Sequence, residues 1–144
     1  MSRLPSLFIS HGSPMFALEP GQLGPRLQQL GAALGDISAI LVVSPHWQTQ
    51  GLCVTTTPRQ TAIHDFGGFP EALYKLQYEP PGAPALAQQV LKLLSQAGWP
   101  AQPDEQRGLD HGAWVPLGYL KPDADIPVLQ VSMPHTLNTR SAFR

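Results

Sequence analysis

Ile40-Leu41-Val42-Val43-Ser44-Pro45-His46-Trp47 is the stretch on which the fold turns. Its first four residues are aliphatic without a polar alternate, and three of them are β-branched. A short run of that kind reads as a strand over residues 40–44 covered on both faces, as in a parallel sheet. Upstream, Leu23, Leu27, Leu30 and Leu34 recur at helical spacing, with Gly35 placed to stop the helix. Further upstream, Leu7, Phe8 and Ile9 form another apolar run, expected as a strand over residues 7–9. Strand, helix and strand then make a βαβ unit of roughly the usual size.

Downstream, the β-branched run at residues 52–57 reads as a third strand. Leu86, Val90, Leu93, Leu94 and Ala97 share a helical stripe over residues 83–97, with Pro84 suited to the first turn and Gly98 to the stop. A last strand is expected over residues 126–131. The fold class is α/β, with a mostly parallel central sheet flanked by helices, as a single domain over residues 1–144. No repeat, low-complexity tract or charge run interrupts it.

Composition narrows the function. With 144 residues there is room for one domain with a real core. Charged residues make up only 13% and the net charge is −1, so nucleic acid and anionic membrane are not expected as partners. The single cysteine, Cys53, excludes an internal disulfide framework and lies in an apolar run, where a buried inert thiol is the expectation. No segment approaches the roughly 20 apolar residues of a membrane span, and the N-terminus lacks a signal-peptide pattern. A soluble, cytoplasmic protein is expected.

Two histidines follow expected strands. His11 stands in Ser-His-Gly-Ser-Pro and His46 in Ser-Pro-His-Trp. Ligands of open α/β sheets gather beyond the carboxyl ends of the strands. Neighbouring strands lie about 4.8 Å apart, so imidazoles from two such ends can share a metal at about 2.1 Å each. Either histidine alone reads as a hydrogen-bonded loop residue; their shared placement points to a metal. His111, in Leu-Asp-His-Gly-Ala-Trp, is open to two readings. Asp110 beside it suits a tautomer-holding, substrate-contacting role, but equally a helix cap with a structural histidine. His64, in Ile-His-Asp-Phe-Gly-Gly-Phe-Pro, lies in a packed turn or a pocket loop, and His135 reads as an exposed loop residue.

Other chemistries are poorly served. No HExxH pair, GxSxG elbow, P-loop or post-strand GxGxxG is present. Phe66, Phe69, Trp47, Trp114 and Tyr119 could line a pocket for a flat ring, although core packing explains aromatic residues by default.

Together, Leu-Phe-Ile-Ser-His-Gly-Ser-Pro-Met, Val-Val-Ser-Pro-His-Trp, Ile-His-Asp-Phe-Gly-Gly-Phe-Pro and Leu-Asp-His-Gly-Ala-Trp-Val-Pro-Leu resemble the 4,5-DOPA extradiol dioxygenases, in the same order and spacing. Those belong to the LigB-type class III ring-cleavage enzymes. The resemblance implies an α/β fold, a mononuclear Fe(II) or Zn(II) site, and O₂-dependent opening of a catechol ring such as that of L-DOPA. It assigns His11 and His46 as metal ligands, His111 as a catalytic histidine near the substrate, and His64, Asp65 and Phe66 to the substrate pocket. Members of the family run on well beyond the position of Arg144, where a third metal ligand and an acid–base histidine are expected. The sheet is therefore expected to be incomplete at its C-terminal side. A rival reading follows, of a non-catalytic metal-binding fragment that self-associates to cover an open sheet edge.

Overall fold

The computed structural model describes residues 3–135. Its organising element is β4 (Val128–Pro134), whose Val128, Leu129, Gln130 and Val131 are all buried. A strand covered on both faces needs a layer on each side, and the chain supplies both. β1 (Ile40–Thr49) lies parallel to β4 on one edge. On the other side come β2 (Leu52–Thr55) and β3 (Ala101–Asp104), parallel to each other. The order is β1-β4-β2-β3, and the β4–β2 seam is antiparallel where Val131 meets Val54. The sheet is mixed, built of two parallel pairs.

Helices α1 (Leu23–Ala33) and α4 (His111–Leu120) cover one face, where Leu27, Val115 and Leu117 join Val128, Ile40 and Val42. Helix α3 (Pro84–Gln96) covers the other, with Ala87, Leu86, Val90, Leu91 and Leu94 on Val54, Leu129 and Val131. Each fully buried Val or Leu contributes about 1.5–3 kcal/mol. Gly35 (φ 64°) closes α1 and Gly98 (φ 83°) follows α3, as left-handed stops that glycine adopts freely. The α3 stripe is turned from the expected one: Ala87 is its centre and Leu93 points outward. Gly31 brings α1 against the last turn of α4, because a Cβ there would run into the Leu120 carbonyl.

Two expectations are corrected. Residues 7–9 form no strand, and Phe8 is 100% exposed. Among the described residues no strand lies beside this segment to exchange ladder hydrogen bonds, and an apolar run does not become a strand without a partner. The expected βαβ unit is therefore absent, and α1 leads into β1 without a preceding strand. β1 itself is covered on one face only: Leu41 is 49% and Val43 56% exposed, since α3 packs on β2, β3 and β4 and β1 is the outer strand. β3 was not anticipated; Ala-Gln-Pro-Asp carries a proline, which the sheet tolerates at its edge. The short helix α2 (Glu71–Tyr74) precedes α3.

Candidate metal centre

The ladder between β1 and β4 breaks where His46 sits. Val43 pairs with Val131 and the next pair is Gln48 with Met133, five steps along β1 against two along β4. The surplus includes Pro45, which has no N–H to give the ladder, and the excursion lifts His46 clear while Trp47 turns back into the core. His46 is thus inside an irregular β1 and not beyond its end. His11 leaves a loop, not a strand, just before a 3₁₀ turn (Pro14–Ala17). Ser13 caps that turn by accepting the Met15 N–H at 3.2 Å, and Gly12 takes φ 59°. His111 is the first residue of α4.

These three converge. His11 Nε2 and His46 Nε2 are 3.1 Å apart, and each histidine offers a nitrogen within 4.8 Å of the other two. The rings of His46 and His111 lie 4.1 Å apart at 34°, partly stacked, whereas His11 meets His46 edge-on at 72°. Two ligand nitrogens about 2.1 Å from one ion stand roughly 3.0–3.4 Å apart. The His11–His46 pair has that spacing and could hold a metal ion, with His111 at the third corner. Burial, followed by the neighbouring His111 and His46, lowers the His11 pKa, which favours the neutral form that ligates.

Beneath the rings lies a buried carboxylate. Asp110 Oδ1 accepts the Gly112 N–H at 2.9 Å, capping α4, and the Ser44 hydroxyl at 2.7 Å. Its Oδ2 accepts Gln130 Nε2 at 2.6 Å and lies 3.4 Å from an Arg107 nitrogen. The Arg107 guanidinium also stands 5.0 Å from the Trp47 ring. Asp110 makes no hydrogen bond to the His111 ring. That place is taken by Asp65, whose Oδ1 lies 3.0 Å from His111 Nδ1 and accepts the His111 backbone N–H at 2.9 Å. The ring contact is poorly aligned for a hydrogen bond, so the backbone bond is the firm one. Burial raises the Asp65 pKa, but the His111 backbone N–H and the nearby His111 ring outweigh it and the net shift is downward.

His64 is not brought to the triad. Its Nε2–H donates to the Leu76 carbonyl at 2.8 Å, and its ring packs on Phe66, Tyr74 and Trp114. Phe66 does reach the site, edge-on to His111 at 5.6 Å. Trp114 anchors the loop by donating to the Ile63 carbonyl at 2.8 Å. His135 is exposed, its backbone N–H bonded to the Thr49 carbonyl. Sequence reading missed Ser44, Gln130 and Arg107. The first two had a signal, as polar residues set within aliphatic strands where burial demands a partner. A cavity of about 620 Å³, lined by Thr56, Pro84, Gln88 and Glu105 among others, has none of the histidines in its wall.

A family model described as the catalytic LigB subunit of aromatic ring-opening dioxygenase matches residues 5–144. This chain belongs to the LigB family. Among LigB relatives, the 4,5-DOPA dioxygenase extradiol of Escherichia coli (strain K12) is 47% identical over 133 residues, covering 92% of this chain and 48% of that protein. The protein of the same name from Beta vulgaris is 42% identical over 134 residues, covering 89% and 49%. The crystal structure of an uncharacterized Escherichia coli K12 protein is similar at a TM-score of 0.61 and 38% identity, covering 78% of this chain and 41% of that one. The chain spans about half the length of the curated relatives it matches. No helix among the described residues is long and apolar enough to cross a membrane.

Proposed function

We propose that this chain holds the catalytic metal of an extradiol dioxygenase and presents a catechol, such as L-DOPA, to it. His11 and His46 are the metal ligands in this reading. The observation that carries it is the 3.1 Å between their Nε2 atoms, reached from separate elements 35 residues apart. Neutral imidazoles suit Fe(II) and Zn(II) alike. A bound Fe(II) supplies the electron transfer by which ring opening uses O₂. His111, beside the pair, takes the catalytic role of exchanging a proton with a catechol hydroxyl. Asp65 holds the start of α4 under it, and Phe66 offers an aromatic edge to a flat ring. His64 acts indirectly, fixing the Asp65–Phe66 loop through Leu76.

The test is anaerobic loading with Fe(II), elemental analysis, and oxygen uptake with L-DOPA followed by the yellow absorbance of a ring-opened semialdehyde. One bound ion, and a catechol-dependent change in the metal's spectrum, are expected. Metal bound equally well by His11→Ala and His46→Ala would overturn the assignment.

A second reading has its own observation. Leu41 and Val43 are exposed on β1, a strand whose outer edge is unpaired among the described residues and which has no Lys, Arg, Asp or Glu to discourage pairing. A non-catalytic metal-binding fragment that self-associates through this edge fits that pattern, and sedimentation over a concentration series distinguishes it.

A further inference from the structure

Capping a helix takes one oxygen and one N–H. Asp110 does far more than that. Its side chain is 0% exposed, and its partners come from four segments that meet near His46 and His111: Ser44 of β1, Gly112 of α4, Gln130 of β4, and Arg107 from the loop before α4. Serine and glutamine contribute nothing to a cap. They do join β1 and β4 to the start of α4 at the level where His46 and His111 depart.

Ser44 carries the constraint onward. Its hydroxyl donates to Asp110 and accepts the His46 backbone N–H at 3.2 Å. Gly112 permits the approach, since a Cβ there would overlap Ser44 Oγ and stand 2.8 Å from His46 Cδ2. The geometry points to Asp110, acting through Ser44, as the positioning residue that sets His46 and His111 relative to one another. This rests on the reading that the histidines frame a metal site. One carboxylate oxygen pins both backbones from which the two rings hang, so the pair is ordered before a ligand arrives. Partners of this outer kind are typically worth roughly 10–100-fold in metal affinity.

Three variants separate position from charge. Ser44→Ala removes the relay and leaves the cap. Asp110→Asn keeps an oxygen for Gly112 and Ser44. Its new N–H group can be met by Gln130, whose Oε1 is buried without a partner and needs only an amide flip. Asp110→Ala removes everything and serves as the limiting case. Each is titrated with Co(II), following affinity and the visible absorption of the bound ion, beside the thermal midpoint of the metal-free protein. Ser44→Ala should bind Co(II) about 10-fold or more weakly with an altered spectrum, while Asp110→Asn stays within roughly 3-fold of the parent with its spectrum kept. A parent-like affinity and spectrum in Ser44→Ala overturns the proposal. So does an Asp110→Asn loss as large as that of Ser44→Ala, which would make the charge decisive. Failure of the parent chain to take up Co(II), or parent-like uptake by His46→Ala, would instead overturn the metal-site reading beneath it.

Discussion

Asp65 and His111 lie 46 residues apart in sequence, yet the carboxylate of one accepts the backbone N–H of the other at 2.9 Å. The contact ties the loop after β2 to the first residue of α4, and places a negative charge at a helix N-terminus, where it is favourable. A hydrogen bond to a charged group contributes about 1.5–3 kcal/mol, less here because Asp65 is partly exposed. Asp65→Asn should therefore lower the thermal midpoint by a few degrees at neutral pH.

The pH dependence of that difference has a definite sign. The Asp65 pKa is below its ordinary 3.8 in the folded protein, so the unfolded chain takes up the proton first as pH falls. The gap between parent and Asp65→Asn should be constant above about pH 5 and close as pH drops below 4. Melting curves from pH 3 to 7 measure it; a gap that widens in acid contradicts the assignment.

His46→Ala should abolish bound metal, whereas His111→Ala should retain most of it. His46 points a nitrogen at His11, while His111 lies partly stacked on His46. Loss at a neighbouring, non-ligating position is typically roughly 10–100-fold at most. Elemental analysis after dialysis gives the answer, and equal loss in both variants would make His111 a ligand.

Gly31→Ala sets two effects against each other. Helix propensity favours alanine by about 1 kcal/mol. The added methyl meets the Leu120 carbonyl, however, and backbone does not yield as a side-chain tip would. Overpacking of this kind typically costs about 1–3 kcal/mol. Net destabilisation is expected in urea unfolding, with no change in metal stoichiometry.

Val43→Lys places a charge on the open edge strand. If the exposed Leu41–Val43 face pairs with a second copy, the variant should sediment as a monomer at concentrations where the parent associates. Identical sedimentation of the two proteins counts against pairing through β1.

Much of the fold was legible because its signals are local. The leucine spacing of α1, the stops at Gly35 and Gly98, and the aliphatic run opening β1 all depend on near neighbours in sequence. Residues 7–9 show where that logic ends: Leu-Phe-Ile has strand chemistry, but strand formation depends on a partner that local sequence does not reveal. The side chains of His11 and His46 were nameable, whereas the sequence left Asp110 open between holding the His111 ring and capping the helix, and gave no sign that Asp65 lies beside that ring. Asp110 adjoins His111 in sequence and caps the helix; Asp65 is remote in sequence and lies beside the ring. Adjacency along the chain is a poor guide at a helix start, where successive side chains diverge by about 100°.

The link from Ser44 to Asp110 spans 66 residues, and Gln130 closes a further 20. Loops of that length close slowly compared with the winding of a helix, so this seam should be among the last parts of the molecule to assemble. An ion bound as proposed between His11 and His46 would find that paired geometry only after the seam has closed. Such binding would favour the native state over partly folded ones, and refolding in the presence of the ion should show tight metal capture lagging behind the return of helical signal.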